Sequence, residues 1–353
     1  MGSYKKCVLL ALVLWQGVAQ AASFVDVLDQ PARLSALAVS SPLLAAARAG
    51  ERLVVVGQRG HILYSDDSGR QWQQVNVPVS ADLNAVSFPT AEQGWAVGSD
   101  GVVLHSSDAG LTWNKQLDGR EIGALLVKHY GALAKAEPAN EQWALRVEEG
   151  QRLIEEGADK PLLDVWFAND QLGYVVGVFN LILRTEDGGK HWIPFQDRID
   201  NPQGFHLNAI ASTGDALYIA GEQGLLLKWD DAQQRFLAVH SPYQGSFFGV
   251  VGKPGEVLAY GLRGHVFRSI DGGASWSPLS TGLQVNITAA TLDANGRYEL
   301  FTQAGHRLVS LKDGSGLQLQ AQQNQSPVAG ATLAADGALV LVGSRGARAL
   351  GQE

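Results

Sequence analysis

The chain has 353 residues, 46% hydrophobic and 18% charged, with a net charge of −8. That composition excludes a disordered or fibrous chain and leaves ample material for a buried core. A mildly acidic balance also argues against nonspecific nucleic-acid binding.

The N-terminus reads as a secretory signal peptide over residues 1–21. Lys5 and Lys6 supply the positive region, Cys7 to Val18 the apolar run, and Ala19-Gln20-Ala21 the small-x-small cleavage site. The apolar run falls short of the ~20 residues that span a bilayer. Cys7 lies inside the run with no Leu-x-Gly/Ala-Cys pattern, so the expected product is periplasmic or secreted and not lipid-anchored. Cleavage removes the only cysteine and takes the charge from −8 to −10 through loss of Lys5 and Lys6. The mature chain then has no disulfide and depends on its core.

From residue 57 a Gly-x-x-Gly turn recurs, as Gly57/Gly60, Gly98/Gly101, Gly221/Gly224, Gly261/Gly264 and Gly343/Gly346. Two copies are degenerate: Gly177 pairs with Asn180, and Thr302 replaces the first glycine before Gly305. First positions step by 41, 79, 44, 40, 41 and 41 residues, which makes seven units. An apolar strand precedes each turn (LVVVG, WAVG, YVVG, LYIAG, VLAYG, YELF, LVLVG). Another lies upstream, for example at Leu83–Phe88, Leu162–Phe167, Leu207–Ile210 and Phe247–Val251. A third strand follows the turn, then an Asp-containing turn, then a fourth strand opened by Trp. Four strands per ~40 residues predict an all-β, seven-bladed β-propeller of four-stranded antiparallel blades. Residues 22–353 are expected to form this single domain.

The Asp turn is complete in four units: Ser65, Asp67, Gly69 and Trp72; Ser106, Asp108, Gly110 and Trp113; Thr185, Asp187, Gly189 and Trp192; Ser269, Asp271, Gly273 and Trp276. Hydroxyl and carboxylate serve backbone groups of the turn, glycine supplies a left-handed angle, and the indole fills the space between sheets. In unit four only Asp231 and Phe236 remain, and in unit six Ser310. The last unit, from about Ser326, stops after its third strand at Ala347 to Leu350. Phe24 to Ala32 is a leftover strand, predicted to complete that blade and close the ring.

The step of 79 contains about 38 extra residues. Ile122, Leu125, Leu126, His129/Tyr130 and Leu133, and then Trp143, Val147 and Ile154, recur at helical spacing around Pro138-Ala139-Asn140. A helical hairpin at about 120–160 is predicted between blades two and three. It is expected on the face that carries the Gly-x-x-Gly turns, opposite the Asp turns, as a peripheral decoration or a partner-docking element.

This repeat pattern resembles the Asp-box (BNR) propellers. With GWAVG (Gly94 to Gly98) and TEDGGKHW (Thr185 to Trp192) it is most similar to the photosystem II stability/assembly factor-like family. The resemblance implies a non-enzymatic accessory protein that docks on a membrane protein complex or its precursor through basic residues of one propeller face. Arg59, Arg263 and Arg345 share the third position of their turns and are the candidate binding residues; arginine suits carboxylate or phosphate. A monomer without cofactor is expected.

The alternative is a sialidase-like or other glycan-active or glycan-binding Asp-box propeller. Such catalysis needs an arginine cluster, a Tyr/Glu pair and an Asp acid near the axis. The Phe-Arg-Ile-Pro-like opening is missing, the Asp-box carboxylates serve turns, and Asp164 has no obvious partner. His61, His265 and His306 fall one per blade without metal-ligand spacing, so no metal site is expected. The glycine turns precede strands rather than helices, which fails the test for phosphate loops.

Overall fold

The computed structural model describes residues 25–321 and 325–350. The expected leader, with Cys7, and Phe24 lie outside them. Seven antiparallel sheets follow in chain order: blade 1 at 43–74, blade 2 at 83–117, blade 3 at 162–194, blade 4 at 207–238, blade 5 at 247–279, blade 6 at 287–320 and blade 7 at 330–350. Strand order within each equals sequence order, so every link is a hairpin turn. The first strands pack on one another from blade to blade, and Gly330–Leu333 of blade 7 packs back on Leu43–Ala49 of blade 1. This contact closes the ring of the propeller.

Burial follows from that geometry. The second strands are enclosed on both faces, so Val54, Val55 and Val56 form a continuous apolar run rather than an alternating one. First strands turn one edge to the axis, where their backbone groups lack ladder partners. Side chains on these strands serve as sutures: Asn84 Nδ2 donates to Leu162 O at 2.8 Å and Asn208 Nδ2 to Phe247 O at 2.8 Å, while Thr288 Oγ1 donates to Val328 O. Each of these three residues sits in a register shift that re-aims it toward the next blade. At Gly98 the backbone is extended, and the need for glycine is steric. A Cβ there would strike the carbonyl of Asp82, which takes a hydrogen bond from the next amide, Ser99 N, at 2.8 Å.

Blade 7 has three strands among the described residues, Gly330–Leu333, Leu339–Gly343 and Gly346–Leu350. The expected closing strand from residues 24–32 is a correction: residues 25–32 form no strand and lie against blades 1 and 2. Asp26 folds the segment into a turn by accepting from Leu28 N, and Leu28 enters the core with Val56, Val77 and Val102. Ser80 N donates to Val27 O at 2.8 Å and Ala32 N to Val77 O at 3.0 Å. Asp29 pairs with both terminal nitrogens of Arg120, at 2.7 and 2.9 Å. A single buried leucine and an Asx turn suit a strap better than a strand.

The insertion forms two helices, α1 (Gly119–Ala136) and α2 (Glu141–Glu156). Asp118 and Asn140 cap them by accepting from Arg120 N and Gln142 N. Burial alone would raise the Asp118 pKa, but hydrogen bonds from Arg120 and Lys115 outweigh it and hold the group at about 2. The helices meet at Gly123 and Gly150, where a side chain on either would collide with the carbonyl of the other. Ile122, Leu126, Tyr130 and Leu153 join Trp95, Leu117, Leu162 and Trp192 in one core between blades 2 and 3, so the hairpin is not peripheral. Ile154, expected in the apolar stripe, is 53% exposed. The close approach at Gly150 centres the inward face of α2 on Leu153 instead.

Candidate binding face

The turns between second and third strands and the hairpin share one end of the ring; the turn at Gly101 touches Gly119 and Ile122 at the start of α1. The Asp boxes lie at the other end, beside the turns between first and second strands. Ala109 N donates to Glu92 O at 2.9 Å and Gly188 N to Gln171 O at 2.9 Å.

Arg59 and Arg263 are exposed, with left-handed φ of 59° and 54°. This conformation is uncommon for a residue with a Cβ. It is held from the next blade: Arg59 N donates to Asp82 Oδ1 at 2.7 Å, and Arg263 N to Asn286 Oδ1 at 2.9 Å. The same device recurs in blade 3, where Phe179 (φ 51°) donates its amide to His206 Nδ1 at 3.1 Å. Arg345 is exposed at the same end, but its turn is tighter. Gly343 pairs directly with Gly346, and the positive φ falls on Gly346. The three arginines therefore share an end of the ring and not one backbone geometry. None of their guanidinium groups has an ion pair with a described residue.

The surroundings differ from blade to blade. Arg263 borders a hollow of about 310 Å³ with His265, Phe267, Thr281 and Gln284. The His265 ring stacks on Tyr243 at 4.5 Å. In blade 2 the equivalent residue is Asp100, whose pKa is raised by burial and then by Asp26 and Asp82. In blade 3 it is Phe179, 58% exposed and edge-on to His206. Phe179 was missed by sequence reasoning, although the lost glycine at Asn180 marked that turn as unusual.

At the opposite end the four complete Asp boxes are superimposable in their bonding. Ser65 Oγ donates to Asp67 Oδ1 at 2.8 Å and accepts from Gly69 N at 2.9 Å, while Asp67 takes Gln71 N at 2.8 Å. The sets at Ser106/Asp108/Gly110, Thr185/Asp187/Gly189 and Ser269/Asp271/Gly273 repeat this. Hydrogen bonds led by Ser275 hold Asp271 at about 2. Trp72, Trp113 and Trp276 donate Nε1 to the turn-glycine carbonyl, and each ring faces the preceding blade. Trp192 Nε1 has no partner among the described residues. In eroded blade 4, Trp229 Nε1 donates to Asp231 at 2.7 Å instead.

The remaining sequence candidates are separated. His61 is buried, which lowers its pKa; His265 is stacked; and His306 Nδ1 lies 3.0 Å from Thr302 Oγ1. Asp164, in the first strand of blade 3, accepts from Val165 N and across the blade boundary from Ile210 N, both at 2.8 Å. Burial raises its pKa to about 7 against the pull of those two amides. Between the unfolded value of 3.8 and this folded value the native state binds the extra proton, so stability falls as pH rises from about 4 to about 7. Asp164→Asn, which keeps an acceptor, is expected to flatten that slope. Urea denaturation at several pH values across this window checks it, and identical slopes in both proteins would refute the assignment.

Seven sheets in a closed ring, Asp boxes at one end and arginine-bearing glycine turns at the other define an Asp-box β-propeller. The family model described as photosynthesis system II assembly factor YCF48 matches residues 44–156 and 148–242. These cover more than half of the chain, which belongs to that family. The photosystem II assembly lipoprotein Ycf48 of Synechococcus sp. (strain CC9902) is 31% identical over 140 residues, 38% of this chain and 42% of the relative. The match thus spans less than half of that relative's length. Among solved structures, YCF48 bound to D1 peptide has a TM-score of 0.65 at 16% identity, covering 92% of this chain and 97% of the other. YCF48 from Cyanidioschyzon merolae has a TM-score of 0.63 at 12% identity, over 90% and 97%. The WD40 propeller domain of Doa1 has 0.59 at 11%, over 92% and 97%. At such identities these likenesses establish the fold alone.

One expectation is overturned by these relatives. The Synechococcus protein is a lipoprotein. The reading of Cys7 as excluding a lipid anchor, and with it the unanchored periplasmic or secreted location, is therefore withdrawn.

Proposed function

We propose that this chain, with residues 22–353 as one propeller domain, is a non-catalytic assembly factor. It binds a membrane protein complex or its precursor as a monomer, through the end of the ring that bears Arg59, Arg263 and Arg345. The observation that carries this reading is the set of three exposed guanidinium groups with no ion pair among the described residues, in a family whose solved relative holds a D1 peptide. Unpaired guanidinium groups recognise carboxylates through parallel donors, with each charge-assisted bond worth roughly 1.5–3 kcal/mol. A non-catalytic role is supported by the engagement of the Asp-box carboxylates in their own turns and of Asp164 with two backbone amides.

The triple change Arg59→Glu, Arg263→Glu and Arg345→Glu is expected to weaken partner capture at least about tenfold, because it replaces attraction by repulsion. Melting should stay unchanged, since all three side chains are exposed. Quantitative co-purification after mild crosslinking reads the first effect and a thermal melt the second. Undiminished capture by the folded triple variant would remove this end of the ring from the proposal.

A further inference from the structure

Blade 7 differs from its six companions at its outer side. Its third strand, Gly346–Leu350, pairs with Leu339–Gly343 and with no other described residue. In the other blades that side is covered by short fourth strands, such as Gln73–Gln74 and Leu317–Gln320. The register shows which groups are left open. Ala329 N donates to Val342 O at 2.8 Å, so the polar groups of Val342 point to the first strand. Val342 and its partner Ala347 are then a non-hydrogen-bonded pair, and the amides and carbonyls of Ala347 and Ala349 face outward. No described group outside the sheet bonds the backbone of residues 347–350. Such an edge is a template for an added strand.

The charge beside it is positive. Arg345 stands in the turn that opens the strand. Arg348, within the strand, reaches Ser326 O at 3.2 Å through one nitrogen, while its Nε has no partner among the described residues. Neither arginine has an ion pair with a described residue. Among the described leading residues, Ala38–Ser40 pack against the opening of this strand at Gly346 and Ala347, whereas residues 25–32 are committed elsewhere. Residues 25–32 lie against blades 1 and 2 and are tied to α1 through Asp29 and Arg120.

We propose that the free edge of blade 7 takes an extended acidic peptide segment of the partner as its fourth strand. Ala347 and Ala349 supply main-chain hydrogen bonds, and Arg345 and Arg348 receive the acidic side chains. The inference rests on the reading of the chain as an assembly factor and adds a strand-pairing contact next to Arg345.

The probe is a labelled, acetylated and amidated eight-residue peptide of alternating Thr and Glu, followed by fluorescence anisotropy. Only alternate peptide amides face an edge strand, so N-methylation of one alternate set should weaken binding roughly tenfold or more, and of the other set little. Ala349→Pro, which removes an outward amide, should weaken binding similarly. The methylation comparison needs no protein variant, so it decides the matter even if that variant folds poorly. Equal effects of the two methyl sets, or full binding by folded Ala349→Pro, would overturn the proposal. A dimer in light scattering that Ala349→Pro makes monomeric would overturn it too, because a second copy then fills the edge. Partner capture lost on Arg59→Glu with Arg263→Glu but intact in Ala349→Pro sinks the edge and leaves the proposed function standing. Alternation-dependent peptide binding with capture insensitive to the arginines does the reverse.

Discussion

Replacing Trp95 by alanine is expected to destabilise the protein by about 3–5 kcal/mol, in the range of large aromatic truncations in packed cores. Trp95 is fully buried in the second strand of blade 2 and stacks on Phe167 of blade 3 at 3.6 Å with ring planes 10° apart. Its Nε1 donates to Gln116 Oε1 at 3.1 Å, and Gln116 Nε2 donates to Gly188 O in the Asp-box turn of blade 3 at 2.8 Å. Alanine would leave a cavity between two blades and take the donor from the half-buried Gln116 amide oxygen. Trp95→Phe, which keeps an aromatic ring for the stacking but loses the indole donor and part of the ring volume, is expected to cost less than Trp95→Ala. Equilibrium urea unfolding provides the measurement; a loss below about 1 kcal/mol for Trp95→Ala would show that the blade boundary repacks freely.

Removal of the helical hairpin is expected to abolish cooperative folding. The ends of the insertion are adjacent, with Ala158 against Gly119, so a short Gly-Ser linker from Asp118 to Asp159 spans the gap without strain. The loss comes from the core. Ile122, Leu126, Tyr130 and Leu153 are buried against the boundary of blades 2 and 3, and each side chain contributes roughly 1.5–3 kcal/mol of burial. Their sum rivals the ~5–15 kcal/mol that separates a native domain from its unfolded state. Tyr130 also donates its hydroxyl to Gln196 Oε1 or Asp197 Oδ1, at 3.0 and 3.1 Å, groups that would lose this partner. Soluble yield and the cooperativity of the thermal melt test this; a linker variant melting within a few degrees of the parent would return the hairpin to a decorative role.

The glycine spacing and the Asp boxes were legible because each rests on interactions within a few residues. Ser65, Asp67, Gly69 and Trp72 close their bonds inside one turn, so the pattern survives in the chain wherever the turn exists. The insertion was legible as two helices for the same reason, since its caps at Asp118 and Asn140 and its apolar period are local. Its phase was not: Leu153 rather than Ile154 is buried because Gly123 and Gly150 let the helices approach, which is a property of the pair. Phe179 escaped notice because its exposure depends on a left-handed turn held by His206 from the next blade.

By itself, then, the chain determined seven repeats, their antiparallel strands, the Asp-box turns and the helical character of the insertion. All of these are set by contacts close in sequence and by periodic burial. The tertiary structure alone decided how the ring closes. Among the described residues blade 7 has three strands, because Leu28 and Asp29 find partners in the core of blades 1 and 2 and in Arg120, from more than twenty to about ninety residues away, rather than in a fourth-strand position. It also decided that Arg59 and Arg263 are presented alike while Arg345 sits on a tighter turn, since Asp82 and Asn286 come from neighbouring blades to hold the first two. Such choices depend on which distant groups compete for the same backbone, and no local pattern encodes that competition.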